Sequence, residues 1–505
     1  MTLHKLKINS LIGLFIAALS GSSCTKLHDF GNLNTDPTVT TAPVTSALLT
    51  NVLSNMAVFT WDAGNITTIS GLYSQYYSET QYTDVSIYSK QSLGWDNYYA
   101  SAIFSPPNVN QYTPTGYLSD LQTIINYNTD PTTKDKAAAS GSNANQLAIA
   151  RILKVYVYST LTDIYGDIPY SKALAGDNGT VAYDKQQDIY TDMFKELTAA
   201  VAQFDGGATV SGDILLGGSV AKWKKFANSL HALLALHLSK VDPTTGKKEF
   251  AAALAGGVIG EGEDIRIAFP GGNFLSPVYK YYDVTKRFDY AVSKTMTDWL
   301  AANSDPRGNP GIYGTSTVGF PFGLSRNDAV AFANNNSGFA QVMRGATGSK
   351  ATDPFNVITA GEIYLARAEA AQLGWTGEDA SAMYSLGIKS AWELWNVYDA
   401  TTFGTYMASA SINLAGGSAL QKICTQEWVS SYPAGVRGWV IWRRTGYPAL
   451  AAGPASINGG VIPRRIAYGP NEYSYNAVNT NTVATQYTVS GDKDSQLARM
   501  WWDVQ

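Results

Sequence analysis

TAGEIYLARAEAAQLGWTGEDASAMYSLGIKSAWELW (residues 359–395) reads as two helices joined by a tight reversal. Thr359 and Glu362 have the spacing of a capping box, in which hydroxyl and carboxylate each satisfy a free backbone N–H of the other. Behind them Ile363, Ala366, Ala370 and Leu373 recur at three and four, which is one face of a helix. Gly374 and Gly377 stop it. A second helix is expected from Asp379, with Met383, Leu386, Ala391, Leu394 and Trp395 as its apolar side. Alanines at 366, 368, 370 and 371 leave no bulky ridge and predict close packing of the pair. Two helices with their turns in under about forty residues make the unit of a tetratricopeptide-type array. An isolated helical hairpin in an α-rich protein would show the same pattern.

Working outward, the same rhythm returns several times. Val44, Leu48, Val52, Met56 and Phe59 predict a first helix. Residues 145–165 form the longest candidate, closed by Gly166 and kept from resuming by Pro169. Another is expected from Asp184 with Gln187 in its first turn, and a third from Ser219 to the Asp242-Pro243 stop. A helix over 419–431 and the run GVRGWVIWRRTGYP follow the opening pair. Between 256 and 354 the rhythm largely disappears into Gly, Asn, Pro and Ser, broken by one helix near 289–302. So much irregular chain in a compact protein usually serves a surface function.

Hydrophobic residues make up 45% of the 505, enough for a sizeable core, and charged residues only 15%. With 36 basic against 40 acidic side chains there is no concentrated positive field, which excludes non-specific nucleic-acid binding. Lys5 and Lys7, the apolar run at 11–19 and the small residues Gly21, Ser22 and Ser23 before Cys24 look like a bacterial lipoprotein signal. Gly21 stands where leucine is usual. The division expected is a signal peptide at 1–23, a tether at 24–43 anchored through acylated Cys24, and one domain at 44–505 with an irregular insert at about 256–354. Loss of Lys5 and Lys7 with the leader leaves the mature chain mildly acidic. Cys424, without a partner, is expected to be a buried thiol.

Catalytic signatures are missing. His231 and His237 lie six apart on one helix, about 240° around it, and cannot share a metal on one face; packing is the expected role. No H-E-x-x-H or G-x-S-x-G occurs. Glu261, Glu263 and Asp264 are the densest acidic cluster, more in keeping with a solvated turn than with glycoside hydrolysis. Calcium could be held by oxygens of the irregular middle, but no loop signature marks such a site, and no cofactor is expected. The positive signal is aromatic: 12% of the chain, with 31 Tyr and 12 Trp. Sugars present flat C–H faces to such rings, and peptides can use the same surface. Tyr76, Tyr77, Trp95, Asp96 and Tyr99, with Tyr279, Tyr281 and Tyr282, are the candidate ligand contacts. For any single ring a place in the core is the equal alternative. Arg443 and Arg444, following Trp439 and Trp442, read as structural.

The NTDP tether, LTDIYGDIPYSKAL (161–174), WKKFANSLHALLALHLSKVDP (223–243), TAGEIYLARAEAAQLGW, TQEWVSSYPAGVRGWVIWRRTGYPAL (425–450), IPRRIAYGPNEY and the terminal WWD together resemble the SusD/RagB nutrient-binding outer-membrane lipoproteins of the Bacteroidetes. The resemblance runs essentially end to end. It implies a mostly α fold of tetratricopeptide-like helix pairs, an α-α superhelix supporting a loop-rich face. It also implies a non-catalytic role at the cell surface, capturing glycan oligosaccharides or peptides for a SusC-like TonB-dependent transporter. The matching motifs are scaffold, so they carry no ligand specificity. A secreted glycan-degrading enzyme and a helical-repeat adaptor remain the other readings.

Overall fold

Helices form largely where the apolar spacing places them, beginning with α1 (Thr45–Trp61) and α2 (Ile66–Tyr73). A short strand β1 (Tyr77–Glu79) precedes the scaffold helices α3 (Tyr117–Thr129), α4 (Asn143–Tyr165), α5 (Gln186–Gln203), α6 (Val220–Leu236) and α7 (Pro243–Gly256). Then come β2 (Ile265–Ile267), β3 (Tyr290–Val292), α8 (Lys294–Ala302), α9 (Arg326–Asn335) and β4 (Phe355–Ile358). The C-terminal part holds α10 (Ala360–Gln372), α11 (Ala380–Leu394), α12 (Ala400–Ala408), α13 (Ala419–Ser430) and α14 (Gly435–Thr445). This computed structural model describes residues 43–61, 66–90, 116–175, 180–308, 316–336, 338–340 and 350–504. The signal peptide, the tether and Cys24 lie outside the described residues. No helix among those described is long and apolar enough to cross a membrane.

Neighbours in sequence pack as neighbours in space: α4 on α5, α6 on α7, α10 on α11. Local chemistry sets the ends of these helices. Thr359 and Glu362 make the full reciprocal box at the start of α10, and Ser142, Ser219 and Asp379 cap α4, α6 and α11 through their side chains. Gly166, at φ +88°, closes α4 in a conformation a side chain would resist.

Several expectations shift. Asp184 does not start α5; its carboxylate accepts the backbone N–H groups of Tyr170 and Ser171, and the helix begins at Gln186. Asp242-Pro243 does not merely end α6: Asp242 caps α7, with Pro243 at its first position. The buried side of α11 is Tyr384, Ile388, Ala391 and Trp392, while Met383, Leu386, Leu394 and Trp395 stay half-buried. In α1 the buried face is Leu49, Val52, Leu53 and Met56, with Val44 51% exposed. Glycine, more than alanine, lets α10 and α11 close on each other. A Cβ on Gly387 would sit 2.6 Å from Leu365 Cγ, and one on Gly361 3.1 Å from the Gly387 carbonyl. Ala366 and Ala370 face the main core instead, and Ala368 a second core with Tyr384, Ile388 and Trp392.

The middle of the chain is less irregular than its composition implies. Near 289–302 the first residues form β3, and the helix starts only at Lys294. α9, capped by Ser325, was not expected. Two antiparallel ribbons fasten this region: β1 pairs with β3, Tyr77 opposite Val292, and β2 pairs with β4, Ile265 opposite Ile358.

Candidate functional site

The β1–β3 ribbon brings the segment that carries Tyr76 and Tyr77 against the 279–290 stretch. Its end is organised by Asp289, 5% exposed, whose carboxylate accepts from Tyr281 Oη at 3.0 Å, Arg287 Nε at 2.7 Å and the Gln81 amide. The Thr80 hydroxyl donates to the Phe288 carbonyl at 2.7 Å, and its N–H to that of Asp289. A carboxylate so surrounded fixes the backbone on both sides of the ribbon.

The rings chosen from sequence do meet here, but inside the protein. Tyr76, fully buried, donates its hydroxyl to the Trp428 carbonyl, and Tyr77 to that of Pro433. Tyr282 is 1% exposed and donates to the Tyr290 carbonyl; Tyr281 is 8% exposed and edge-on to Tyr282, centroids 5.1 Å apart. These four are core residues: their faces are covered and their hydroxyls committed to the chain's own acceptors. Tyr279 remains half-buried. Trp95, Asp96 and Tyr99 lie outside the described residues. Tyr281→Phe should therefore lower the unfolding free energy by about 2 kcal/mol through loss of a bond to a charged acceptor. A melt of the variant matching wild type would show that bond to be replaceable.

Above this core several large side chains stay exposed. Tyr82 is 48% exposed, with the Arg326 guanidinium 5.2 Å from its ring centroid. Phe288 is 37% exposed, and Arg287, tied to Asp289, keeps 56% of its side chain in solvent. Phe274, in a turn of the same region, is 59% exposed. Flat rings beside planar guanidinium groups, of which Arg287 is fixed by Asp289, can stack on a sugar face and bond its hydroxyls. Tyr82 is not among the candidate contacts read from the sequence, and Arg287 and Arg326 carry no sequence signal, since only the fold sets Arg326 over its ring. Glu79, on β1, is buried, and burial pushes its carboxyl up to about 7 despite bonds of 2.8 Å from the Ser86 N–H and hydroxyl.

Other candidate groups serve the scaffold. Glu263 pairs with Lys225 and Glu261 with Lys389, while Asp264 accepts the Ala360 N–H at 2.8 Å. His231 stacks on Phe194 and meets Glu249 at 2.9 Å; His237 Nδ1 lies 2.6 Å from the Tyr190 hydroxyl. Arg443 lies between Trp439 and Trp502, 3.6 and 4.8 Å from their centroids. Glu369, the buried thiol of Cys424 and Glu427 place metal-ligating atoms within 4.8 Å of one another. The Arg444 guanidinium already pairs with both carboxylates there, and burial together with Glu369 pushes the Glu427 carboxyl up, so the cluster has its cation.

A solved structure described as a chitin-binding protein matches with 27% identity, 91% of this chain and all of that one, at a TM-score of 0.71. A chitin-binding SusD homolog from Flavobacterium johnsoniae matches with 24% identity over 91% and 98% of the two chains, at 0.68. A SusD homolog from Bacteroides fragilis, 20% identical over 91% and 100%, reaches 0.74 and shares the fold. No curated protein matches. The family described as "Starch-binding associating with outer membrane" matches residues 36–469, and by that span the chain belongs to this SusD-like family.

Proposed function

We propose that this chain is a non-catalytic, cell-surface lipoprotein that captures glycan oligosaccharides and passes them to a SusC-like TonB-dependent transporter. The observation that carries the reading is the exposed Tyr82 ring under the Arg326 guanidinium, with exposed Phe288 and Arg287 beside Asp289 at the end of the β1–β3 ribbon. Membership of a family described as starch-binding and outer-membrane-associating supports it, as does the likeness to a chitin-binding protein. Tyr279, and Trp95, Asp96 and Tyr99 from outside the described residues, remain proposed ligand contacts. Cys24 is the chain's proposed anchor: two acyl chains, at about 0.8 kcal/mol per buried CH₂, hold a protein well beyond reversible attachment.

Stacking at roughly 1 kcal/mol per ring suits micromolar capture and ready release. Calorimetry with chito- and malto-oligosaccharides tests this. Tyr82→Ala should weaken binding about five- to ten-fold without moving the melting temperature. Peptide binding in place of any saccharide, or hydrolysis of the panel by the pure protein, would overturn the assignment.

A further inference from the structure

A cavity of about 620 Å³ lies on the helical scaffold between α3, α4, α5 and the turn after α4. None of its described lining residues comes from the ribbons or the irregular region. Its volume is that of a small-ligand site. The wall is built from groups already fixed in place. Glu196 holds the Arg151 fork through Nε at 2.8 Å and Nη2 at 2.9 Å, and Gln203 takes a third bond. Lys154 donates to Gln122 at 2.8 Å, and the Tyr170 hydroxyl to Asp192 at 2.7 Å.

Two features point to a ligand. Tyr158, 1% exposed, lines the groove, and its hydroxyl has no hydrogen-bond partner among the described residues. Such an orphan costs about 1–3 kcal/mol. The half-buried Tyr170 packs edge-on against it, centroids 4.7 Å apart, giving the groove an aromatic floor. The second feature is mixed charge: among the described lining residues three side chains are cationic and four acidic, with Arg151 bonded to Glu196, so neither sign dominates the groove. A neutral polyhydroxylated molecule can bond to carboxylates and guanidinium alike while laying a ring on tyrosine.

From the orphaned Tyr158 hydroxyl and the mixed-charge aromatic groove, we infer that the scaffold carries a second binding site for a neutral oligosaccharide. It shares a ligand class with the ribbon face but no residue, so the two sites fail separately. A sugar hydroxyl in the groove would supply the partner that Tyr158 lacks.

The test uses the full chain with chitotetraose and maltotetraose, by titration calorimetry and by soaked crystals. At least one sugar should occupy the groove with a hydroxyl bonded to Tyr158, and solution data should require a second, weaker site. Tyr158→Phe should weaken that site at least five-fold and leave the melting temperature unchanged or raised, since no existing bond is lost. Tyr82→Ala should leave it intact. Water alone in the groove with both sugars overturns the inference, as does a second site indifferent to Tyr158→Phe. Loss of ribbon-face binding with the groove still filled would count against the ribbon face only.

Discussion

Arg444→Ala is expected to destabilise the protein by about 3–5 kcal/mol, the cost of leaving buried charge without its partner. Arg444 is 3% exposed and joins three helices: it lies on α14, Glu369 on α10 and Glu427 on α13. Its Nη2 sits 2.7 Å from Glu369 Oε2 and 3.2 Å from Glu427 Oε2. Without it the two carboxyls face each other in a dry interior and at least one must take up a proton. The deficit should therefore shrink as pH falls. Denaturant titrations of both proteins at about pH 5 and about pH 8 check both points. A deficit under 1 kcal/mol, or one that does not change with pH, would mean that water reaches the cluster.

Glu79→Gln should reshape the pH dependence of stability. The folded-state pKa of Glu79 is raised from 4.5 to about 7, so the native protein holds this proton where the unfolded chain has released it. Its contribution is thus fully present below about pH 4.5 and is lost as pH rises through 7. The displacement amounts to roughly 3 kcal/mol at 1.36 kcal/mol per pH unit. Glutamine keeps the shape and an acceptor for Ser86 but never ionises. The variant should match wild type near pH 4 and exceed it by up to that amount near pH 8. Parallel curves would show that the Ser86 bonds suffice to keep the carboxylate ionised.

Where local chemistry decides, the sequence was informative. The Thr359–Glu362 box, the Ser219 cap and the Gly166 stop each depend on a few adjacent side chains, and all stand in the structure. Where the outcome depends on what packs against a residue, it was not. Tyrosine suits a wet surface or a core with a hydroxyl partner equally well. Tyr76 is buried because α14 has Gly438 against it, where a Cβ would lie 2.4 Å from its Cζ. Tyr82, of the same residue type, stays exposed near Arg326 because neither has such a cover. The inward face of α11 was misphased for a related reason: Trp392 and Trp395 are both large apolar residues, and only the position of α12, with Phe403 and Tyr406 against Trp392, selects between them. α7 was missed because its alanine-rich turn pattern has little amphipathic contrast and its proline looked like a terminator.

The β2–β4 ribbon sets Ile267 opposite Phe355, so the long excursion between them leaves and re-enters the scaffold at one place. For a segment whose ends are pinned together, lengthening adds closure entropy only as the logarithm of its length, about 0.6 kcal/mol per doubling. Helices and excursion can then evolve at different rates. Turns, small helices and exposed rings between the pinned ends can be exchanged, lengthened or shortened without disturbing the register of the helix pairs outside them. Arg287, Phe288 and Arg326 lie inside this cassette and can change with it, while Tyr82 lies outside it, just after β1, and stays with the scaffold.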